Sequence, residues 1–275
     1  MLVIGHRGAR GLFPENTLDG FRRTIALGVD GIEIDVAMTA DGVAMVSHDP
    51  ALNPDITRTN GAWLTASGRL IHGLRSGELA SFDVGRIRPG SRYAARYPEQ
   101  EPADGARIPT LADTLALPAR FTVEMKTFPD HPDWTAAPEA MAEAVAAIAD
   151  ASGATDRIVV QSFHWRGPRH LRRLRPDLTY AWLTSAETVA AARQWWDGPC
   201  PADFGGSVPR AVAAEGGSIW SPAFGDVTAD LVAEAQELGL RVIPWTVNDP
   251  ADMRRMIRCG VDGLITDRPD IALRL

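Results

Sequence analysis

Eight short apolar runs of strand length, separated by amphipathic stretches, constrain this chain more than any other feature. They lie at Leu2–Gly5, Val29–Ala37, Phe121–Lys126, Arg157–Gln161, Thr179–Leu183, Ser218–Trp220, Arg241–Trp245 and Asp262–Ile265. Between the first two, Leu18, Phe21 and Ile25 recur at helical spacing, with Asn16 or Thr17 available to cap the start and Gly28 to end it. Met141, Ala144, Val145 and Ile148 mark one face of a helix over Pro138–Ala151. Further helical segments fall at Gly167–Leu174, Glu187–Trp195, Ala229–Leu238 and Pro250–Cys259. Eight strand–helix units in 275 residues predict an α/β fold of the (β/α)8 barrel type. An open doubly wound sheet is the alternative, but no glycine-rich dinucleotide fingerprint follows any strand.

One stretch breaks the rhythm. After a short apolar run at Val43–Ser47, residues from about Pro50 to Arg107 are rich in Gly, Pro, Arg and Ser, with a weak helical pattern only at Gly77–Leu79. A structureless loop of that length inside a compact domain is improbable. The expectation is one barrel domain spanning 1–275, with a small inserted subdomain or lid at about 50–107, between strands two and three.

Polar groups at the C-terminal ends of barrel strands face the active-site mouth. His6 follows strand one, Glu33 and Asp35 end strand two, and Glu124 and Lys126 end strand three. Residues two apart on a strand share a face, so Glu33 and Asp35 point one way while Ile32, Ile34 and Val36 point the other. The apolar set suits the helix layer, which puts the carboxylates inside. Buried carboxylates are costly unless compensated, and a divalent cation compensates them. Glu33, Asp35 and Glu124, with no cysteine among them, suit a hard ion such as Mg²⁺ or Ca²⁺.

His6 and His48 form the natural acid–base pair, since imidazole titrates near neutrality. Arg7 can clamp a phosphate in bidentate fashion and Lys126 can add a point charge. Trp245, at the end of strand seven, can wall a pocket or simply pack in the core. Asn16 is read as a helix cap and Asp49 as a turn cap. His72, His131, His164 and His170 are read as hydrogen-bonded structural residues, and Trp195 and Trp196 as helix packing.

A net charge of −7 argues against a broad nucleic-acid or anionic-membrane footprint. No run is long and apolar enough to span a bilayer, and Met1–Gly5 leads straight into His6-Arg7 without the marks of a signal peptide. The expectation is a cytoplasmic protein acting on a small molecule, its oligomeric state open. Cys200 and Cys259 give no disulfide framework and are read as buried thiols.

The ordered set His6-Arg7-Gly8, Pro14-Glu15-Asn16-Thr17, Gly31-Ile32-Glu33-Ile34-Asp35-Val36, Thr39-Ala40-Asp41-Gly42, His48-Asp49, Ile108-Pro109-Thr110-Leu111, Glu124-Met125-Lys126, Gln161-Ser162-Phe163, Trp245-Thr246-Val247-Asn248 and Ile265-Thr266-Asp267 resembles the glycerophosphodiester phosphodiesterases over nearly the whole chain. The resemblance implies a barrel with an insertion between strands two and three. It also implies hydrolysis of glycerophosphodiesters to glycerol 3-phosphate and an alcohol. By that resemblance Glu33, Asp35 and Glu124 hold the metal, His6 is the general base and His48 the general acid. Arg7 and Lys126 would bind phosphate oxygens, and Trp245 would contact the glycerol. Two other readings are a lysophospholipase D acting on acylated substrates, for which Trp63, Leu64, Leu70, Ile71, Leu74 and Leu79 would have to form an apolar groove, and a non-catalytic phosphoglycerol-binding protein.

Overall fold

The computed structural model describes residues 1–66 and 68–275. Its centre is a nearly closed barrel of eight parallel strands: β1 (Leu2–His6), β2 (Gly31–Met38), β3 (Phe121–Met125), β4 (Ile158–Ser162), β5 (Thr179–Thr184), β6 (Ile219–Pro222), β7 (Arg241–Val242) and β8 (Gly263–Thr266). Continuous ladders join β7 through β1 to β8. The remaining seam, between β7 and β8, is held by single backbone bonds, Asp262 N to Val242 O (2.9 Å) and Ile265 N to Pro244 O (2.9 Å). The strand expected at Arg241–Trp245 is therefore shorter, because Pro244 has no N–H to give to a ladder.

β2 is buried along its whole length, as parallel strands covered on both faces are. Ile32, Ile34 and Val36 turn outward and pack with Phe21, Met141 and Val145 of the flanking helices. On the far side of the barrel Trp165 stacks on Trp196 with ring centroids 4.0 Å apart, inside a cluster that includes Trp182 and Trp220.

Inside the barrel, Ile4, Ala181, Ile219, Ile243 and Ile265 fill the lower layer. One pleat further along each strand the inward position becomes His6, Leu183, Ser221, Trp245 and Asp267. The change from an apolar to a mostly polar layer at the C-terminal ends builds the mouth.

The helices follow the sequence pattern with three differences. The segment expected at Glu187–Trp195 is two short helices, Ala186–Ala190 and Ala192–Trp195. Val208–Glu215 is helical although it carries Pro209, since proline in a first turn loses no hydrogen bond. Thr17 caps Leu18–Ala26, accepting from Gly20 N at 3.1 Å, so Asn16 is not the cap.

After β2 the chain turns at Asp41-Gly42 and returns antiparallel along Ala44–Val46. The following stretch forms a hairpin (Arg58–Thr59 with Ala62–Trp63) and single turns at Ile71–Gly73, Ser76–Leu79 and Arg92–Arg96. Leu52, Ile71, Leu74, Leu79, Val84 and Ile108 give it a core, seated on Ala37 and Met45. Ile71, Leu74 and Leu79 are thus spent on packing and line no groove. Among the described residues no helix is long and apolar enough to cross a membrane. Both cysteines are free; Cys200 is buried and Cys259 is only half-buried.

Candidate active site

At the β1 exit the backbone folds closely back on itself. A side chain at Gly5 would sit 1.9 Å from the Gly8 carbonyl oxygen, which is why the turn after β1 needs glycine there. Arg7 and Asn16 both hold left-handed backbone conformations (φ 52° each), a strain that persists where surrounding contacts over-determine it. Those contacts are specific. Arg7 N donates to Glu33 (3.2 Å), its guanidinium donates to Glu15 (2.9 Å), and its Nε lies 3.4 Å from Asp35. Asn16 Nδ2 donates to Asp35 Oδ2 at 3.0 Å, so this residue orients a site carboxylate where sequence reading had it capping a helix.

Parallel register brings the carboxylates together: His6 pairs with Glu33, and Asp35 with Glu124, which in turn pairs with Gln161. Carboxylate oxygens of Glu33, Asp35 and Glu124 lie within 4.8 Å of one another, all buried. Burial and mutual repulsion raise the Glu33 carboxyl well above its ordinary range, and burial raises Glu124 as well. Asp35 goes the other way: burial opposes its ionisation, but His48, Arg7 and Lys126 hold it charged. Lys126 donates to Glu124 at 2.7 Å and lies 3.7 Å from Asp35. Among the described residues, Asp35 Oδ1 has no hydrogen-bond donor. A buried carboxylate oxygen without a donor, beside two carboxyls whose charged forms burial disfavours, makes this trio a place where positive charge would be stabilised. The all-oxygen donor set fits a hard divalent ion.

Two His–Asp pairs flank the carboxylates. His6 Nδ1 donates to Asp267 Oδ1 at 2.6 Å, which leaves Nε2 facing the mouth, 3.8 Å from Glu33. Asp267 also accepts from Arg10 (3.0 and 3.1 Å) and Asn248 (2.8 Å). His48 Nδ1 donates to Asp49 Oδ1 at 2.8 Å, and Asn53 donates to the other Asp49 oxygen at 2.8 Å. Asp49 thus aims His48, a role the turn-cap reading missed. Burial lowers both imidazoles below their usual pKa; Asp267 partly restores His6, while Lys126 and Arg7 push His48 down further. His6 is nearly enclosed, whereas the His48 side chain is 31% exposed at the rim.

The mouth is a cavity of about 230 Å³ lined by His6, Arg7, Arg10, Glu33, His48, Arg96, Glu124, Lys126, Gln161, Phe163, Leu183, Trp245, Thr246 and Ile265. Trp245 donates its indole N–H to Ser221 O (2.9 Å) and meets Phe163 edge-on at 5.1 Å, so its ring stands as an apolar wall. His6, Arg7, Glu33, His48, Glu124, Lys126 and Trp245 all line this cavity, and Asp35 sits directly beneath.

The family model described as "Glycerophosphoryl diester phosphodiesterase family" matches residues 6–271. The chain belongs to that family. It is 29% identical over 276 aligned residues to a glycerophosphodiester phosphodiesterase of Caldanaerobacter subterraneus subsp. tengcongensis, covering 100% of this chain and 97% of that one. The crystal structure of a candidate glycerophosphoryl diester phosphodiesterase from Silicibacter pomeroyi superposes with a TM-score of 0.91 at 40% identity, over 100% of this chain and 92% of that one. A phosphodiesterase of Oleispira antarctica, solved with its product sn-glycerol-3-phosphate, shares the fold with a TM-score of 0.74 at 21% identity, over 100% of this chain and 96% of that one.

Sequence reasoning assigned no role to several residues that shape this family member's mouth. Asp267 and Asn248 were visible only as parts of motifs. Arg10 and Tyr93 gave no signal: Arg10 donates to the Tyr93 hydroxyl at 3.2 Å, and Tyr93 donates to Glu15, tying Arg92–Arg96 to the mouth. His72, His131 and His170 lie elsewhere, the first near Met38 O, the second stacked on Trp134, the third paired with Glu143. His164 contacts Thr127 at 3.2 Å behind the mouth and does not line it.

Proposed function

We propose that the protein hydrolyses small glycerophosphodiesters to glycerol 3-phosphate and an alcohol, using one divalent cation, Mg²⁺ or Ca²⁺, held by Glu33, Asp35 and Glu124. The observation that carries the reading is the buried carboxylate trio set between two carboxylate-oriented histidines. The ion supplies charge neutralisation at the phosphoryl oxygens.

The protein's own groups supply the proton transfers. His6, with Nδ1 committed to Asp267 and burial favouring the neutral ring, has a free Nε2 to take a proton from the attacking hydroxyl. As the P–O bond to the alcohol breaks, His48 donates a proton to the departing oxygen; the negative charge of the bound phosphodiester offsets Lys126 and Arg7, the two cations that hold this imidazole's pKa down, and so favours its protonated form. Its partly exposed position suits a group that meets the leaving alcohol and is reprotonated from solvent, and Asp49 beside it stabilises the imidazolium. Arg7 and Lys126 hold the carboxylates in place and present positive charge to the phosphate. Trp245 packs on the glycerol carbons.

The test is ³¹P NMR of glycerophosphocholine and glycerophosphoethanolamine incubated with the protein and Mg²⁺ or Ca²⁺. Appearance of glycerol 3-phosphate supports the reading. Phosphocholine or phosphoethanolamine as product would place the cleavage at the other ester bond and reject it.

A further inference from the structure

Among the described residues, every arginine and lysine at the mouth except one is already engaged. Arg7 is paired with Glu15 and Asp35, Arg10 with Asp267, and Lys126 with Glu124 and Asp35. Arg96 has no carboxylate partner among the described residues, and it is exposed. Its position is set by firm neighbours. The turn Arg92–Arg96 is tied down by Tyr93 through Glu15 and Arg10, and the guanidinium lies 5.7 Å from the ring of Tyr97, a buried residue that also carries Arg10 at 4.7 Å. Among the described residues, the only carboxylates lining the cavity, Glu33 and Glu124, belong to the candidate metal site. The mouth therefore offers a free cation to whatever projects from it, and no free carboxylate to a cationic head group.

We infer that Arg96 selects the alcohol half of the substrate, favouring diesters whose alcohol bears a second anionic group, a carboxylate or a phosphate monoester, over those bearing choline. The inference rests on the proposed phosphodiesterase reading, in which the scissile phosphate sits over the carboxylates and the glycerol against Trp245, so that the alcohol is the part a rim residue meets. A guanidinium matches either anion in bidentate fashion. At an exposed rim the gain is modest, on the order of fivefold, and is screened by salt.

The test compares kcat/KM for four diesters with the wild type, Arg96→Ala and Arg96→Glu, at low and high salt: glycerophosphoglycerol as the neutral reference, glycerophosphocholine, glycerophosphoglycolate, whose alcohol carries a carboxylate and no amine, and glycerophosphoglycerol bearing a terminal phosphate. The expected result is a wild-type preference for the anionic alcohols that falls about fivefold in Arg96→Ala and turns toward choline in Arg96→Glu. High salt should erase the preference in the wild type and change little in Arg96→Ala. A response confined to the phosphate-bearing diester supports the inference and names phosphate as the group; a response from glycerophosphoglycolate as well extends it to carboxylates. An unchanged preference in both variants overturns it. So does an equal loss for all four diesters, which would place Arg96 on the scissile phosphate instead. Hydrolysis of none of the four would overturn the phosphodiesterase reading itself, an outcome distinct from activity that ignores Arg96.

Discussion

His6 Nδ1 and Asp267 Oδ1 lie 2.6 Å apart although 261 positions separate them in the chain. The bond joins the exit of β1 to the exit of β8, where the first and last strands of the barrel pair side by side. It fixes which imidazole nitrogen faces the carboxylates, and so couples the pairing of these two strands to the proposed proton transfer.

Asp267→Asn should therefore lower kcat by roughly 10²-fold or more with a much smaller change in KM, because the ring loses its orienting charge while the substrate contacts stay. Steady-state kinetics beside a circular-dichroism check of folding tests this. A wild-type kcat in a folded variant would remove Asp267 from the account.

His48→Ala should lower turnover by about 10²- to 10⁴-fold, the range general acid–base catalysis supplies. Asp49→Ala should cost less, since that carboxylate is 39% exposed and water can replace part of its hydrogen bonding. If a diester with an alcohol of low pKa, which needs no protonation on leaving, is hydrolysed equally poorly by His48→Ala, the acid role is wrong.

Glu124→Gln should weaken metal binding, read by calorimetric titration of the EDTA-stripped protein with Mg²⁺ and Ca²⁺. Because Glu33 and Glu124 have raised proton affinity in the absence of a cation, the ion must displace protons, and wild-type metal affinity should climb as pH rises from 5 toward 8. Affinity independent of both the substitution and pH would place the ion elsewhere.

Burial holds the His164 imidazole down at about 4. Its folded pKa lies below the unfolded value of about 6.5. The stability it contributes is therefore complete above about pH 6.5 and is lost as pH falls toward about 4, where the unfolded chain binds the extra proton first. His6 and His48 shift in the same direction. His164→Gln should flatten the fall of the melting temperature between those limits. An unchanged slope would mean that His164 titrates normally in the folded protein.

Much of this site was legible because the chemistry sits on strands. The period of two put Glu33 and Asp35 on one face, and the outward Ile32, Ile34 and Val36 told which face that was. Asn16 and Asp49 were misjudged for the opposite reason. Both lie on loops, where a polar residue next to a helix start or a turn has a local explanation, and only the fold brings Asn16 to Asp35 and turns Asp49 onto His48. Arg10, Tyr93 and Arg96 were beyond reach. Their meeting depends on the segment after β2 folding back over the mouth, a packing between Leu52, Ile71 and Leu79 that leaves no periodic trace.

The most direct test of the central claim is glycerol 3-phosphate release by EDTA-stripped protein, before and after Mg²⁺ or Ca²⁺ is restored, in the wild type and in His6→Ala. The account predicts no release when stripped, recovery on adding an ion in the wild type, and almost none in His6→Ala. Full release by the stripped protein, or equal recovery in His6→Ala, would contradict it.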